Sequence, residues 1–132
     1  MSHFTTVKTK LKDVQCLKQA LEDLHYEFLE AEDHQGIQIR GYNNTHEKAD
    51  LCIRVSKKYD VGVKITEHGV EFIADWWGVE TTHGLTEEEF VSQLTQRYAY
   101  HKVIKEVKAR GFSLEEEETE EQTIQLTVSK WL

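Results

Sequence analysis

Hydrophobic and polar positions alternate along most of this chain, and two longer stretches break the alternation with helical spacing. In residues 4–11, Val7, Thr9 and Leu11 fall on one face and Lys8 and Lys10 on the other, the two-residue period of a strand. Asp13 then stands where a helix cap belongs. Val14, Leu17, Ala20, Leu21 and Leu24 follow three and four apart, one stripe turned to a core. Residues 26–31 alternate again, and Asp33-His34-Gln35-Gly36 supplies a turn. Ile37 and Ile39 point one way in the next strand, and the polar stretch 42–48 reads as a loop. Leu51, Ile53 and Val55 alternate with Cys52, Arg54 and Ser56, a half-buried strand. Val61, Val63 and Ile65 repeat the pattern, and Glu67-His68-Gly69 turns the chain into Val70, Phe72 and Ala74.

Thr86-Glu87-Glu88-Glu89 has the sequence of a capping box. It opens a long helix that runs to about Arg110 and is closed by Gly111. Residues 112–114 read as a short strand, and Ile124, Leu126 and Val128 as a last one ending at Trp131. Between them, residues 115–121 hold six glutamates in seven positions. They read as a solvated hairpin tip, the sharper alternative being a contact for a basic partner. Clean alternation with short connections predicts antiparallel meanders, not βαβ crossovers. The expected fold is therefore α+β: a single antiparallel β-sheet with two helices packed on one face. The order is β-α-β-β-β-β-β-α-β-β, with all 132 residues in one domain.

Composition removes several functional classes. With 39% hydrophobic and 30% charged residues the chain is globular in type, and no apolar run approaches the ~18 residues of a membrane span. The start, Met-Ser-His-Phe, lacks a basic and then apolar leader, so a cytoplasmic, reducing location is expected. Cys16 and Cys52 form no CxxC pair and read as free thiols there. Acids outnumber bases 24 to 16, a net charge of −8. That balance argues against general nucleic-acid binding and against anionic membrane surfaces. Lys8, Lys10 and Lys12 nevertheless lie close together and leave room for a local basic patch.

The long helix holds the most informative anomaly. At about 100° per residue, Arg97 and His101 fall inside its apolar stripe of Phe90 and Leu94, which has Val91 and Tyr98 at its edge. An inward guanidinium needs a partner. In a structural reading Arg97 pairs with a carboxylate, with Asp75 and Glu71 as candidates, or with strand carbonyls, and His101 caps a strand carbonyl. In a functional reading Arg97, Tyr98 and His101, with Gln96 beside them, line a ligand or partner site. Trp76 and Trp77 end a strand in the pattern and would point to opposite faces, so one is core and at most one is exposed for docking. The seven histidines show no HxH, HExxH or paired Cys/His spacing, so no metal is expected; His3, His101 and a carboxylate are the remaining arrangement. No glycine-rich phosphate loop, GxSxG elbow or Cys-His dyad stands out, and no cofactor or catalytic residue is assigned.

Several segments together resemble a known family. They are Met-Ser-His-Phe-Thr-Thr-Val-Lys-Thr at residues 1–9, Leu-Thr-Gln-Arg-Tyr-Ala-Tyr-His at 94–101, Gly111-Phe112, and Ile-Gln-Leu-Thr-Val-Ser-Lys-Trp at 124–131. This pattern resembles the hypothetical chloroplast reading frame thirty-five family of cyanobacteria and algal plastids, a domain of unknown function. The resemblance implies a location in the cyanobacterial cytoplasm or plastid stroma and, by association, a link with the photosynthetic machinery. It supplies no catalytic residues. The leading expectation is a non-enzymatic binding or accessory protein, an assembly factor or adaptor, with a protein partner. The alternatives are a small-ligand domain or enzyme using Arg97, Tyr98 and His101, and single-stranded RNA binding on exposed aromatics ringed by bases.

The chain contains no proline, where about six would match the usual ~5%. No X-Pro bond can trap the unfolded state in a wrong isomer. Refolding followed by tryptophan fluorescence should therefore lack a phase of tens of seconds that a prolyl isomerase accelerates.

Overall fold

Apolar side chains leave both faces of the central sheet, and each face is covered by a different kind of element. The structure, a computed structural model, describes residues 3–111. In chain order the elements are β1 (Thr5–Lys8), α1 (Val14–Asp23), β2 (Glu27–Glu30), β3 (Ile37–Arg40), β4 (His46–Ala49), β5 (Leu51–Arg54), β6 (Asp60–Thr66), β7 (Gly69–Ala74), α2 (Trp76–His83) and α3 (Glu87–Ala109). Five strands form one antiparallel sheet in the order β1-β7-β6-β5-β2, and β3 and β4 form a separate two-stranded ribbon. The α+β class is as expected, while the single sheet of the sequence reading is two. Strands predicted beyond residue 111, and the glutamate run, lie outside the described residues.

On one face Leu51, Ile53, Val61, Val63, Val70, Phe72 and Ala74 meet the apolar stripes of the helices: Cys16, Leu17, Ala20 and Leu21 from α1, and Phe90, Leu94 and Tyr98 from α3. Asp13 caps α1 by accepting from the Cys16 N–H, and Thr86 and Glu89 close the capping box of α3. The opposite face carries Cys52 and Ile73, which the ribbon covers with Ile39 and Ala49. Gly62, at the middle of β6, makes this possible. A Cβ there would lie 2.7 Å from Ile39 Cδ1 and 2.9 Å from Ala49 Cβ, inside contact distance.

Two elements differ from the sequence reading. The stretch expected as a loop contains β4, because only Ala49 of that strand is buried and its other positions give no apolar signal. Cross-strand pairing with β3, from Arg40 opposite His46 to Ile37 opposite Ala49, makes the strand. The other is α2: Asp75 accepts from the Gly78 N–H and turns the chain from β7 into a helix, so Trp76 and Trp77 sit on a helical turn rather than on a strand.

The ribbon is bolted to the sheet by an ion pair whose carboxylate is buried. Asp60, 1% exposed, begins β6. Its Oδ2 accepts from the Arg40 backbone N–H at 2.8 Å and from Arg40 Nε at 2.9 Å, and its Oδ1 from Nη2 at 2.7 Å. Arg40 also donates to the Ser56 carbonyl at 3.0 Å and to that of Lys57. Replacing Arg40 by Met strands a buried carboxylate and should cost about 3 kcal/mol or more in chemical denaturation. Arg40→Met/Asp60→Leu should recover part of that loss, since no charge is then left unpaired.

Candidate functional site

The inward-facing Arg97 and His101 are positioned by α3, but the group they meet is the last residue of α1. Arg97 Nη2 lies 2.6 Å and Nε 3.2 Å from Asp23 Oδ2, and His101 Nε2 also bonds that oxygen. Neither Asp75 nor Glu71 is the partner expected from the sequence: Asp75 accepts from Gly78 and Tyr42 N–H groups instead. His101 likewise bonds a carboxylate rather than capping a strand carbonyl. The Tyr100 ring lies under the Arg97 guanidinium, 4.4 Å from its centroid, a cation–π contact. Burial pushes the Asp23 carboxyl up, but hydrogen bonds from Arg97 and His101 outweigh it and hold it below its usual range.

The neighbouring stripe of α3 grips the other end of α1. Positions 98, 102 and 105 share a side of that helix. Tyr98 is buried, and its Oη accepts from the Lys12 and Asp13 N–H groups at 3.2 and 3.0 Å. Lys105 Nζ lies 2.6 Å from Asp13 Oδ2, and Lys102 3.5 Å. The Lys105 hydrogen bond holds the Asp13 carboxyl far below the usual carboxylate range. Gln96 is exposed on α3, and His3 is exposed ahead of β1. Among the described residues no group of three His, Cys, Asp or Glu side chains could hold a metal ion. Cys16 and Cys52 are buried free thiols; burial pushes Cys52 up to about 12, far from nucleophilic at neutral pH.

A second constellation forms where β7 ends. Trp76 turns inward, 8% exposed, and donates from Nε1 to the Thr5 carbonyl at 3.2 Å. Trp77 is 58% exposed and meets Tyr42, 47% exposed, edge to face at 6.5 Å. Asp75 ties the two segments, since the same carboxylate caps α2 and accepts from the Tyr42 N–H at 3.2 Å. Gly78 is required here, because a Cβ on it would overlap the Tyr59 ring. Tyr42 opens a single tight turn, Tyr42–Asn44, in which Asn43 and Asn44 have left-handed φ of 53° and 60°. Between this turn and Lys57, Lys58 and Tyr59 lies a cleft of about 480 Å³, with Arg40 spanning from ribbon to opposite wall.

Of the residues singled out in the sequence, the fold thus brings Arg97 and His101 together on Asp23 and leaves Tyr98 facing the start of α1. Trp76 and Trp77 part company on α2. Tyr42, Asn43, Asn44, Lys57 and Lys58 were not singled out. In the sequence Asn43-Asn44 and Lys57-Lys58 are ordinary residues of short connections, and nothing in their spacing sets them apart.

Asp13 and Asp23 are held below their ordinary value of 3.8, so their contribution is present above that value and lost as pH falls through their lower folded values. Acid melts below pH 3.8 should therefore show a steeper loss of stability in the wild type than in Asp13→Asn/Asp23→Asn. At neutral pH, Arg97→Met should lower stability by about 1 kcal/mol, because Asp23 is partly solvated, and His101→Ala by less. Thermal melts of the variants beside wild type check the order.

Among the described residues no helix is long and apolar enough to cross a membrane. No solved structure gives a significant match. The family model described as a protein of unknown function, DUF1257, matches residues 20–127. "Uncharacterized protein ycf35" of Guillardia theta is 34% identical, over 99% of this chain and 98% of its own. The proteins of that name from Pyropia yezoensis and Cyanophora paradoxa are 32% and 31% identical over the same shares. The chain belongs to this family of unknown function, DUF1257, which agrees with the resemblance read from its sequence.

Proposed function

We propose that the protein is a non-enzymatic binding or accessory protein, an assembly factor or adaptor, and that it docks a protein partner on the Tyr42–Trp77 surface. The observation that carries this reading is Trp77, 58% exposed beside a Trp76 that is locked into the core. An aromatic held on a short rigid helix loses little entropy on binding and offers a large apolar area, the properties of an interface anchor. Tyr42 beside it extends the apolar area and adds a hydroxyl for hydrogen bonding. The proposed setting is the cyanobacterial cytoplasm or plastid stroma, near the photosynthetic machinery, in keeping with the algal relatives. The competing reading, a ligand site or enzyme on Arg97, Tyr98 and His101, draws less support, since these side chains spend hydrogen bonds on α1.

The test is retention of partners from a cyanobacterial extract by tagged wild type and by Trp77→Ala, with mass spectrometry. Trp77 is solvent-facing, so the variant should melt like wild type. Its retention of the specific partner should drop roughly thirtyfold, as loss of an interface anchor worth ~2 kcal/mol requires. Equal retention by both proteins would remove this surface from the proposal.

A further inference from the structure

We infer that the cleft between the Tyr42–Asn44 turn and the Lys57–Tyr59 segment binds a small phosphorylated compound, with its phosphate on Lys57 and Lys58 and its organic part against Tyr42. The inference goes beyond the partner surface, with which the cleft shares Tyr42, and it rests on different observations.

Charge is the first argument. The chain carries −8 overall, yet no carboxylate is among the residues that line this cleft. The nearby Asp60 is committed to Arg40. Lys57 and Lys58 are exposed, adjacent in sequence, and in no ion pair among the described residues. Lys57 and Lys58 line the cleft with His46, and an anion there would balance their charge. A phosphate dianion matches this set better than a carboxylate, because its extra charge and third oxygen reach both lysines and an amide donor at once. The amides of Asn43 and Asn44 supply such donors, and their side chains make no intramolecular hydrogen bond among the described residues.

Size and backbone give the second argument. About 480 Å³ exceeds what a bare phosphate fills and falls within the range of small-ligand pockets. Asn43 and Asn44 stand successively in the left-handed region, a conformation asparagine tolerates better than other non-glycine residues and one that recurs at ligand sites. Arg40 fixes the two walls relative to each other through backbone carbonyls of Ser56 and Lys57, so the cleft is formed before any ligand arrives.

Titration calorimetry on the full chain at low salt tests this with AMP, ribose 5-phosphate, inorganic phosphate and adenosine. AMP and ribose 5-phosphate should bind, adenosine should not, and inorganic phosphate should bind more weakly than either. Lys57→Gln/Lys58→Gln should weaken AMP by roughly tenfold or more, since two charge-assisted contacts are lost. Its fold should persist, because Arg40 grips the Lys57 backbone and not its side chain. Lys8→Gln/Lys10→Gln removes the same charge from a second basic groove, lined also by Thr9, Lys12 and His68, and should leave AMP binding unchanged. No saturable binding of any phosphate compound would overturn the inference. So would equal weakening by both lysine pairs, which would make the effect one of general charge. Equal affinity for AMP and inorganic phosphate would remove the Tyr42 contact, and preference for a single-stranded RNA oligonucleotide over AMP would replace a small ligand by a polymer.

Discussion

The Asp60 carboxylate, almost wholly out of water at the start of β6, is the constraint on which the rest of one sheet end depends. An ion in that position is tolerable only if fully paired, and Arg40 pairs it three times, through its backbone and two guanidinium nitrogens. Because Arg40 belongs to the ribbon and Asp60 to the sheet, the pairing sets where the ribbon lies. Placing the ribbon there buries Cys52 and Ile73 and forces a glycine at position 62. The remaining guanidinium hydrogens then reach the β5–β6 connection, so the cleft walls are held by the same side chain. A dedicated apolar pair could seal the same surface, but only a forked donor can bond the Asp60 carboxylate and the Ser56 and Lys57 carbonyls at once.

On the opposite face the organising problem is the helix pair. The polar ends of α1 must be satisfied close to an apolar core, and α3 does this with two adjacent stripes. Arg97 and His101 address the carboxylate at one end, and Tyr98 and Lys105 the first turn at the other. Both carboxylates sit below their ordinary range for this reason, although the causes are opposite in balance. At Asp13 hydrogen bonding leads, while at Asp23 burial is the largest influence and is outweighed by two donors. These partly solvated pairs orient the helices more than they stabilise them. The stabilising contribution comes from Leu17, Leu21, Phe90 and Leu94 beneath, each of which is fully buried.

An acidic chain with a basic cleft is a divided electrostatic surface. The same sheet end carries the exposed aromatic pair, because Asp75 joins the α2 cap to the Tyr42 turn. Anchoring and charge therefore converge on one rim and share Tyr42, while Trp77 is outside the cleft and Lys57 is outside the aromatic pair. Tyr42, Asn43, Asn44, Lys57 and Lys58 of that rim lie on connections, where sequence can vary without disturbing the sheet.

Local pattern alone determined the first helix and its cap at Asp13, the capping box at Thr86 and the antiparallel β5–β6–β7 meander. Those features rest on local rules: two-residue and 3.6-residue periods, and side chains that cap their own helix. The short strand β4 and helix α2 escaped, because β4 buries one residue in four and α2 follows directly on a strand whose apolar pattern it continues. The partner of Arg97 escaped for a different reason. Spacing says that a guanidinium needs a carboxylate, but Asp23, Asp75 and Glu71 are equivalent in sequence, and only the crossing of α1 over α3 chooses among them. The cleft was illegible for the same cause: Asn43-Asn44 and Lys57-Lys58 are ordinary turn residues until Arg40 and Asp60, twenty positions apart, bring the two connections face to face. Sequence determined which residues must be buried, capped or paired; tertiary structure decided with whom, because pairing is a matter of distance in space that one-dimensional spacing does not carry.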